Sequence, residues 1–285
     1  MQFATHFRTI VLSDIHLGAK GSKAKEVTEF LKQYKCNKLI LNGDIIDGWQ
    51  LKKYGNNWKK KHTAFFKTVL KMMDESDTKV VYLRGNHDDF LDQVLPLKIG
   101  KYFSLRRDYI LKSADGKRYY VTHGDVFDSI TTHFKWLAYL GDIGYNLLLG
   151  INKLYNQYRS WRGLPYYSLS AQIKQKIKAA VNYISDFEEK LAELARAKGC
   201  DGIICGHIHQ PAIRNIGEII YMNSGDWVES LSALVEDFDG NWSLIYYDSE
   251  ERNQWANTSP TETLNEPHED YFSTLLSLSN LKTGA

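Results

Sequence analysis

The sequence predicts an α/β fold built on a mixed sheet. Short apolar runs rich in Val, Ile, Leu and Tyr recur along the 285 residues, and most end at a glycine. The first three are separated by stretches of helical pattern, the spacing of right-handed crossovers between parallel strands. The last two flank Asp239-Gly240, the turn chemistry of an antiparallel hairpin.

The first run, "RTIVLSD" at 8–14, reads as a strand, and a helix follows at about 23–35. The run "NKLILNGD" (37–44) reads as the second strand, with a second helix at about 59–75. "KVVYLRGN" (79–86), "RYYVTHGD" (118–125), "DGIICGH" (201–207) and "EIIYMNSGD" (218–226) read as strands in the same way. "SALVEDFDGNWSLIYYD" (232–248) is the hairpin. Residues 129–198 differ. They are helical in pattern, broken at "RGLPYY" (162–167), and form a helical insertion within one domain expected over 1–248. From Asp248 onward seven acids face two bases, so 249–285 is expected to be an acidic, flexible tail.

A composition 43% hydrophobic and 25% charged is that of an ordinary globular chain. The formal charge of +2 names no polyanionic partner. Cys36, Cys200 and Cys205 are odd in number and lack metal-like spacing, which suits core residues in a reducing compartment. "MQFATHFRTIVLSD" shows no basic region leading into a long apolar stretch, so a cytoplasmic location is expected. The most apolar segment, 136–151, is too short and too interrupted to span a bilayer.

The strand ends carry the chemistry. They read "SDIH", "NGDIID", "RGNHD", "THGD" and "CGHIH". C-terminal edges of parallel strands lie side by side, and ligands bind in the crevice beyond them. Asp14 and His16 are two residues apart, as are His207 and His209, so each pair can face one site in extended chain. Asp44, Asn86 and His123 come singly from other strands. One Asp after Gly is ordinary turn chemistry, and one His is more often core or surface than ligand. Five strand ends of this kind are a constellation. Seven nitrogen and oxygen donors with no thiolate suit divalent ions such as manganese, iron or zinc. Seven is too many for one tetrahedral ion. Two ions about 3.5–4 Å apart, sharing Asp44 as a bridging carboxylate, would clamp a phosphoryl group.

The ordered blocks Asp14-x-His16, Gly43-Asp44, Gly85-Asn86-His87-Asp88, His123-Gly124-Asp125 and Gly206-His207-x-His209 resemble the calcineurin-like metallophosphoesterase superfamily over about residues 8–245. The resemblance implies a four-layer αββα sandwich of two mixed sheets with helices outside. It implies two divalent metal ions, manganese ahead of iron or zinc. One ion would take Asp14, His16 and His209, the other Asn86, His123 and His207, with Asp44 between them. The blocks "GDIIDGW", "THGD", "RGLPYYSLS" and "GDWVES" look like the branch of UDP-2,3-diacylglucosamine hydrolases of lipid A synthesis and their paralogues. The best-described hydrolases of that branch carry Arg where this chain has His87.

His87, beside Asn86, is the candidate catalytic residue, as general acid to the leaving group or as a stabiliser of transition-state charge. Asp88 is expected to orient it or to cap a helix at 89–95. Asp47 reads as a turn or supporting residue. Arg84 reads equally as a strand-face residue or a phosphate contact. Between 143 and 185 the chain has no acid, six bases and seven aromatics. Arginine forks onto phosphate oxygens, so Arg159 and Arg162 are candidate substrate-binding residues. Basic helices with such aromatics lie on anionic bilayers, which predicts a lipid-facing lid at the inner membrane's cytoplasmic face; the alternative is a plain amphipathic cap. No dedicated nucleic-acid module is present, so no nucleic-acid partner is expected. The expected reaction is hydrolysis of the pyrophosphate in a UDP-linked, acylated sugar. A phosphatase or phosphodiesterase on another phospholipid or nucleotide stays open, as does a non-catalytic scaffold on the same fold.

Overall fold

Apolar runs become central strands where both faces are covered. The computed structural model describes residues 5–55, 57–126, 155–163 and 169–247. β1 (His6–Leu12), β2 (Lys35–Asn42) and β3 (Lys79–Leu83) pair in parallel in the order of the chain. Two crossover helices lie between them, α1 (Ala24–Gln33) and, after the short α2 (Gly48–Tyr54), α3 (Lys60–Glu75). α1 buries Ala24, Val27, Thr28, Phe30 and Leu31, one stripe of a 3.6-residue period. A 3-10 helix (Asn86–Val94) leads from β3 to the hairpin of β4 (Leu97–Ile99) and β5 (Phe103–Arg106).

The second sheet begins with the hairpin of β6 (Asp108–Lys112) and β7 (Arg118–Thr122). A long helix, α4 (Leu169–Ala197), then precedes β8 (Gly202–Cys205), β9 (Ala212–Ile216) and β10 (Ile219–Asn223). The chain returns to the first sheet as the hairpin of β11 (Ser232–Glu236) and β12 (Trp242–Tyr246), turning at Gly240. The strand orders are β12-β11-β1-β2-β3-β5-β4 and β6-β7-β8-β10-β9. Both sheets mix parallel with antiparallel neighbours, as expected.

The pleat explains the layers. Side chains alternate along a strand, so one strand feeds two cores. Ile10 and Leu12 pack with Phe30 and Phe65 of the outer helices. Val11, between them, packs with Val121, Ile204 and Met222 of the second sheet. On the far side, Tyr120, Ile203 and Tyr221 pack against Phe187 and Leu191 of α4. Helix, sheet, sheet and helix therefore stack in four layers. Truncating a fully buried aromatic such as Phe30 to Ala costs about 3–5 kcal/mol in this setting. The sheets are also tied by polar groups. Asn42 Nδ2 donates to Thr122 O at 3.1 Å, and the buried Glu236 carboxylate accepts from Thr9, Ser113 and the Ala114 N–H.

Boundaries shift by small amounts. The first helix starts at Ala24 and yields to β2 at Lys35. Asp88 stands at a non-helical kink within the 3-10 helix, and it does not cap a helix at 89–95, because its carboxylate accepts from Ile45, Ile46 and Gly85 N–H and from Tyr82 Oη–H. Of the expected insertion at 129–198, the described part is α4 and a helical turn at 155–161, which ends near Gly163 in the left-handed region. The apolar stretch 136–151 and the acidic tail 249–285 lie outside the described residues. Among the described residues, no helix is long and apolar enough to cross a membrane. All three cysteines are free and buried, as core residues.

Candidate metal centre

Each strand of the central layers ends by turning its donors inward. Asp14, His16, Asp44, His207 and His209 all adopt positive φ, between 49° and 68°. Non-glycine residues rarely occupy this left-handed region, and they persist there only where the surroundings enforce it. Five of the seven candidate ligands share the strain. The backbone here locks to itself: Asp14 N–H donates to Gly43 O at 3.1 Å, and His16 N–H to Asp44 O at 2.9 Å. Two glycines make the crowding possible. A Cβ on Gly85 would stand 2.3 Å from Asp44 Oδ1, and one on Gly206 would stand 2.5 Å from Asp14 Oδ2.

The donors converge. Asp14, His16 and His209 offer ligand atoms within 4.8 Å of one another, and so do Asp44, His123 and His207. His209 Nε2 lies 3.1 Å from Asp14 Oδ1. His123 Nε2 lies 3.5 Å from Asp44 Oδ1, and His16 Nε2 lies 3.7 Å from Asp44 Oδ2. Asp44 thus faces both groups, the place a bridge must occupy. A third group, His16, Asp44 and His87, overlaps the other two and has no members of its own beyond His87.

The residues fit divalent ions. Asp14 Oδ1, Asn86 Oδ1 and His123 Nε2 are buried with no hydrogen-bond partner, which in a folded chain is costly unless something else is bound there. Other atoms of His123, Asp14 and Asp44 are already committed. His123 Nδ1–H donates to Asn42 O at 2.9 Å, which commits that nitrogen and turns Nε2 toward the cluster. Asp14 Oδ2 accepts from His207 N–H at 3.0 Å, and Asp44 Oδ1 accepts from His87 N–H at 2.8 Å. His16 presents Nδ1 to Asp47 Oδ2 at 3.4 Å, a carboxylate behind an imidazole.

Charge follows from the packing. Burial alone would raise the Asp14 carboxyl, but the imidazoles of His209, His123 and His16 hold it well below the usual carboxylate range. Asp44 behaves in the same way, against burial, under His123 and His16. For His123 burial opposes the charged form, yet Asp44 and Asp14 push its pKa up to about 10. These are the shifts of a site that asks for positive charge.

His87 is buried beside the cluster. Its Nε2 is 3.9 Å from Asp44 Oδ2, and Trp49 lies over its ring with centroids 4.1 Å apart. The expectation that Asp88 orients His87 is corrected. Asp88 is fully buried and accepts from Ile45 N–H, Ile46 N–H and Tyr82 Oη–H at 2.9–3.1 Å. Burial and the Asp44 charge push its carboxyl up to about 7, against the pull of those donors. Asp47 takes the place instead. Its Oδ1 is 3.1 Å from His87 Nδ1, though the ring's N–H is not aligned on it, and it also caps α2 through Gln50 N–H at 2.8 Å. The "DIID" spacing held that signal, since a residue three beyond Asp44 returns to the same side of a tight turn. Arg84 is a strand-end clamp. It grips Asp92 through two nitrogens and pairs with Asp125, joining the "RGNHD" and "THGD" ends. Arg159 and Arg162 are not brought into the cluster. They lie in the 155–163 stretch, where Arg159 donates to Tyr155 Oη at 3.5 Å.

Residues 7–211 match the family described as Calcineurin-like phosphoesterase. No curated protein matches the chain. Among solved structures, a Vps29 single mutant from Entamoeba histolytica is 12% identical, with TM-score 0.39, covering 83% of this chain and 89% of that one. The E. coli phosphoesterase Yfce is 18% identical, with TM-score 0.38, covering 84% and 99%. The match over residues 7–211 takes in all seven candidate ligands, and the chain belongs to the calcineurin-like phosphoesterase family, the metal-dependent hydrolases of phosphate esters.

Proposed function

We propose that the strand-end cluster holds two divalent ions and that the enzyme cleaves the pyrophosphate of a UDP-2,3-diacylglucosamine-type nucleotide sugar. Asp14, His16 and His209 would hold one ion, Asn86, His123 and His207 the other, with Asp44 shared. The observation that carries the metal assignment is Asp44, whose two oxygens face His16 and His123 from opposite groups. When bound, the ions supply Lewis acidity, lowering the pKa of water and neutralising phosphoryl oxygens. The protein residues do the rest. His87 delivers a proton to the departing oxygen or stabilises charge upon it. Asp47 faces Nδ1 of His87 with one oxygen and Nδ1 of His16 with the other, so one carboxylate would position both rings. Trp49 stacks on His87 and covers it from solvent on that face.

The substrate half rests on the "GDIIDGW", "RGLPYYSLS" and "GDWVES" blocks and on the acid-free basic stretch at 143–185. Arg159 and Arg162 would contact the substrate from this stretch, and the stretch would rest on an anionic membrane face in the cytoplasm. His87 in place of the branch's Arg favours a second reading, a phosphatase or phosphodiesterase on another phospholipid or nucleotide. A turnover screen separates them. Manganese-loaded protein is offered UDP-2,3-diacylglucosamine, bis-p-nitrophenyl phosphate and single-stranded DNA. Preferred cleavage of the nucleotide sugar supports the first reading. Cleavage of the aryl diester with none of the sugar moves the assignment to the second. No turnover of any ester by the loaded protein would leave the fold as a scaffold.

A further inference from the structure

A small cleft lies where the loop after His16 meets the start of α3. Its walls are Ala19 and Lys20, three and four residues past His16, and Asn57, Lys59, Lys61 and His62 at the start of α3. The cavity is about 20 Å³, room for one small group and not for a whole small molecule.

His62 supplies the decisive observation. Its side chain is buried, at 1% exposure. The Lys59 backbone N–H donates to its Nδ1 at 3.1 Å. A backbone N–H can only donate, so Nδ1 carries the lone pair and Nε2 carries the proton. Nε2 is buried and has no hydrogen-bond partner. Burial, with the ammonium groups of Lys61 and Lys59, lowers the pKa of the imidazole, which keeps it a neutral donor. Trp58 closes one side of the ring at 5.2 Å, nearly perpendicular to it.

The charge around this donor is of one sign. Lys61 Nζ donates to Ser22 O at 2.9 Å, which anchors one ammonium group at the cleft. Lys20 and Lys59 are exposed at its rim. The cleft lies at the positive end of α3, a 16-residue helix. From residue 48 to residue 73 the chain has seven lysines and no acid, so nothing in that stretch offsets the charge.

We propose that the cleft is a phosphate subsite, in which His62 Nε2–H and the ammonium groups of Lys20, Lys59 and Lys61 receive one phosphate-class anion. It requires no metal of its own. The anion is either free inorganic phosphate or the second phosphate of a diphosphate-linked substrate; the chemistry of recognition is the same. The subsite stands beside the proposed hydrolysis and does not depend on which ester is cleaved.

The test uses the zinc-loaded full chain, inorganic phosphate as probe, and long-range proton–nitrogen NMR of the histidine rings. His62 signals are assigned by their loss in His62→Gln. Phosphate should move the His62 Nε2 signal saturably, and Lys20→Gln with Lys59→Gln should weaken that response about tenfold or more, as lost charge-assisted bonds do. Both lysines are exposed, so the double variant keeps its fold. The same response should survive Asp44→Asn, because the subsite is separate from the metal centre. A second arm names the source. If the double variant raises KM about tenfold for a nucleoside-diphosphate sugar and leaves bis-p-nitrophenyl phosphate unchanged, the substrate supplies the phosphate. Unchanged KM for both, with phosphate binding lost, assigns the subsite to the free ion. A silent His62 while other histidine signals respond, or a response indifferent to the two lysines, would overturn the proposal. The NMR arm needs no turnover, so failure of the proposed nucleotide-sugar reaction leaves it standing.

Discussion

At the scale of single residues, backbone strain and burial prepare the centre before any ion arrives. Asp14, His16, Asp44, His207 and His209 are held in left-handed conformations that tight turns and buried donors impose. This predicts a division of labour. Asp44→Ala should lose metal, because both groups need its carboxylate. His87→Ala should keep both ions and lose roughly 10²–10⁴ in kcat. Metal analysis beside steady-state rates checks the pair, and wild-type turnover in His87→Ala would make that histidine structural. Asp47→Asn should lower activity about 10–100-fold, since it disturbs the rings of His16 and His87 together. An Asp47→Asn enzyme with normal rate and normal metal affinity would remove Asp47 from the account. His123 gives a prediction in protons. With its pKa near 10 in the metal-free protein, it is protonated at pH 8, and an ion can bind Nε2 only by displacing that proton. Metal titrations at pH 8 in buffers of different ionisation enthalpy should therefore show proton release, reduced in His123→Ala. The candidate donors were legible in the sequence because each follows an apolar run. Asp47 was legible as a turn or supporting residue, but not which rings it supports, since capping α2 and supporting two imidazoles leave the same mark on the sequence. The place of Asp88 was not legible, because its donors, Ile45 N–H, Ile46 N–H and Tyr82 Oη–H, come from two other segments.

At the scale of elements, legibility followed burial. β1, β2 and β3 are covered on both faces, so their sequences are nearly continuous apolar runs. β4 reads Leu-Lys-Ile and is exposed throughout, and β9 is half-buried, so neither stands out from a loop. α2 buries no residue and is held by its Asp47 cap, which no periodicity reveals. The basic stretch at 143–185 carries the membrane proposal. Each basic residue near an anionic surface contributes about 1 kcal/mol. Phosphatidylglycerol vesicles should therefore sediment the protein at low salt and release it as salt rises, because exposed charges are screened within about 10 Å at 0.1 M. Arg159→Glu with Arg162→Glu should weaken this binding and raise KM for a lipid-linked substrate, leaving a small chromogenic ester nearly unaffected. Equal handling of both substrates by the double variant, with vesicles ignored at low salt, would reduce the stretch to a cap.

For the whole molecule, the four layers place two sheets face to face across a shared core and collect their strand ends at one rim. The expected αββα sandwich is what forms, because alternation along β1 and β7 feeds an outer and an inner core at once. The rim links folding to metal through charge. His123, raised from 6.5 to about 10, contributes stability that is complete below its ordinary pKa and lost as pH climbs through the folded value. Asp14 and Asp44, held low, contribute stability present above about pH 4 and lost as pH falls toward their folded values. Chelator-treated protein should then lose thermal stability between about pH 7 and 10 in calorimetry. Metal-loaded protein should lose less, because the ion replaces the proton on His123. Central to all of this is the claim that seven donors around Asp44 hold two ions that act together. The most direct measurement is elemental analysis of chelator-free protein, with activity followed as metal is added back to the metal-free chain. The account predicts about two ions per chain and activity that rises fully only with the second. Full activity at one ion per chain, with the second site empty, would contradict it.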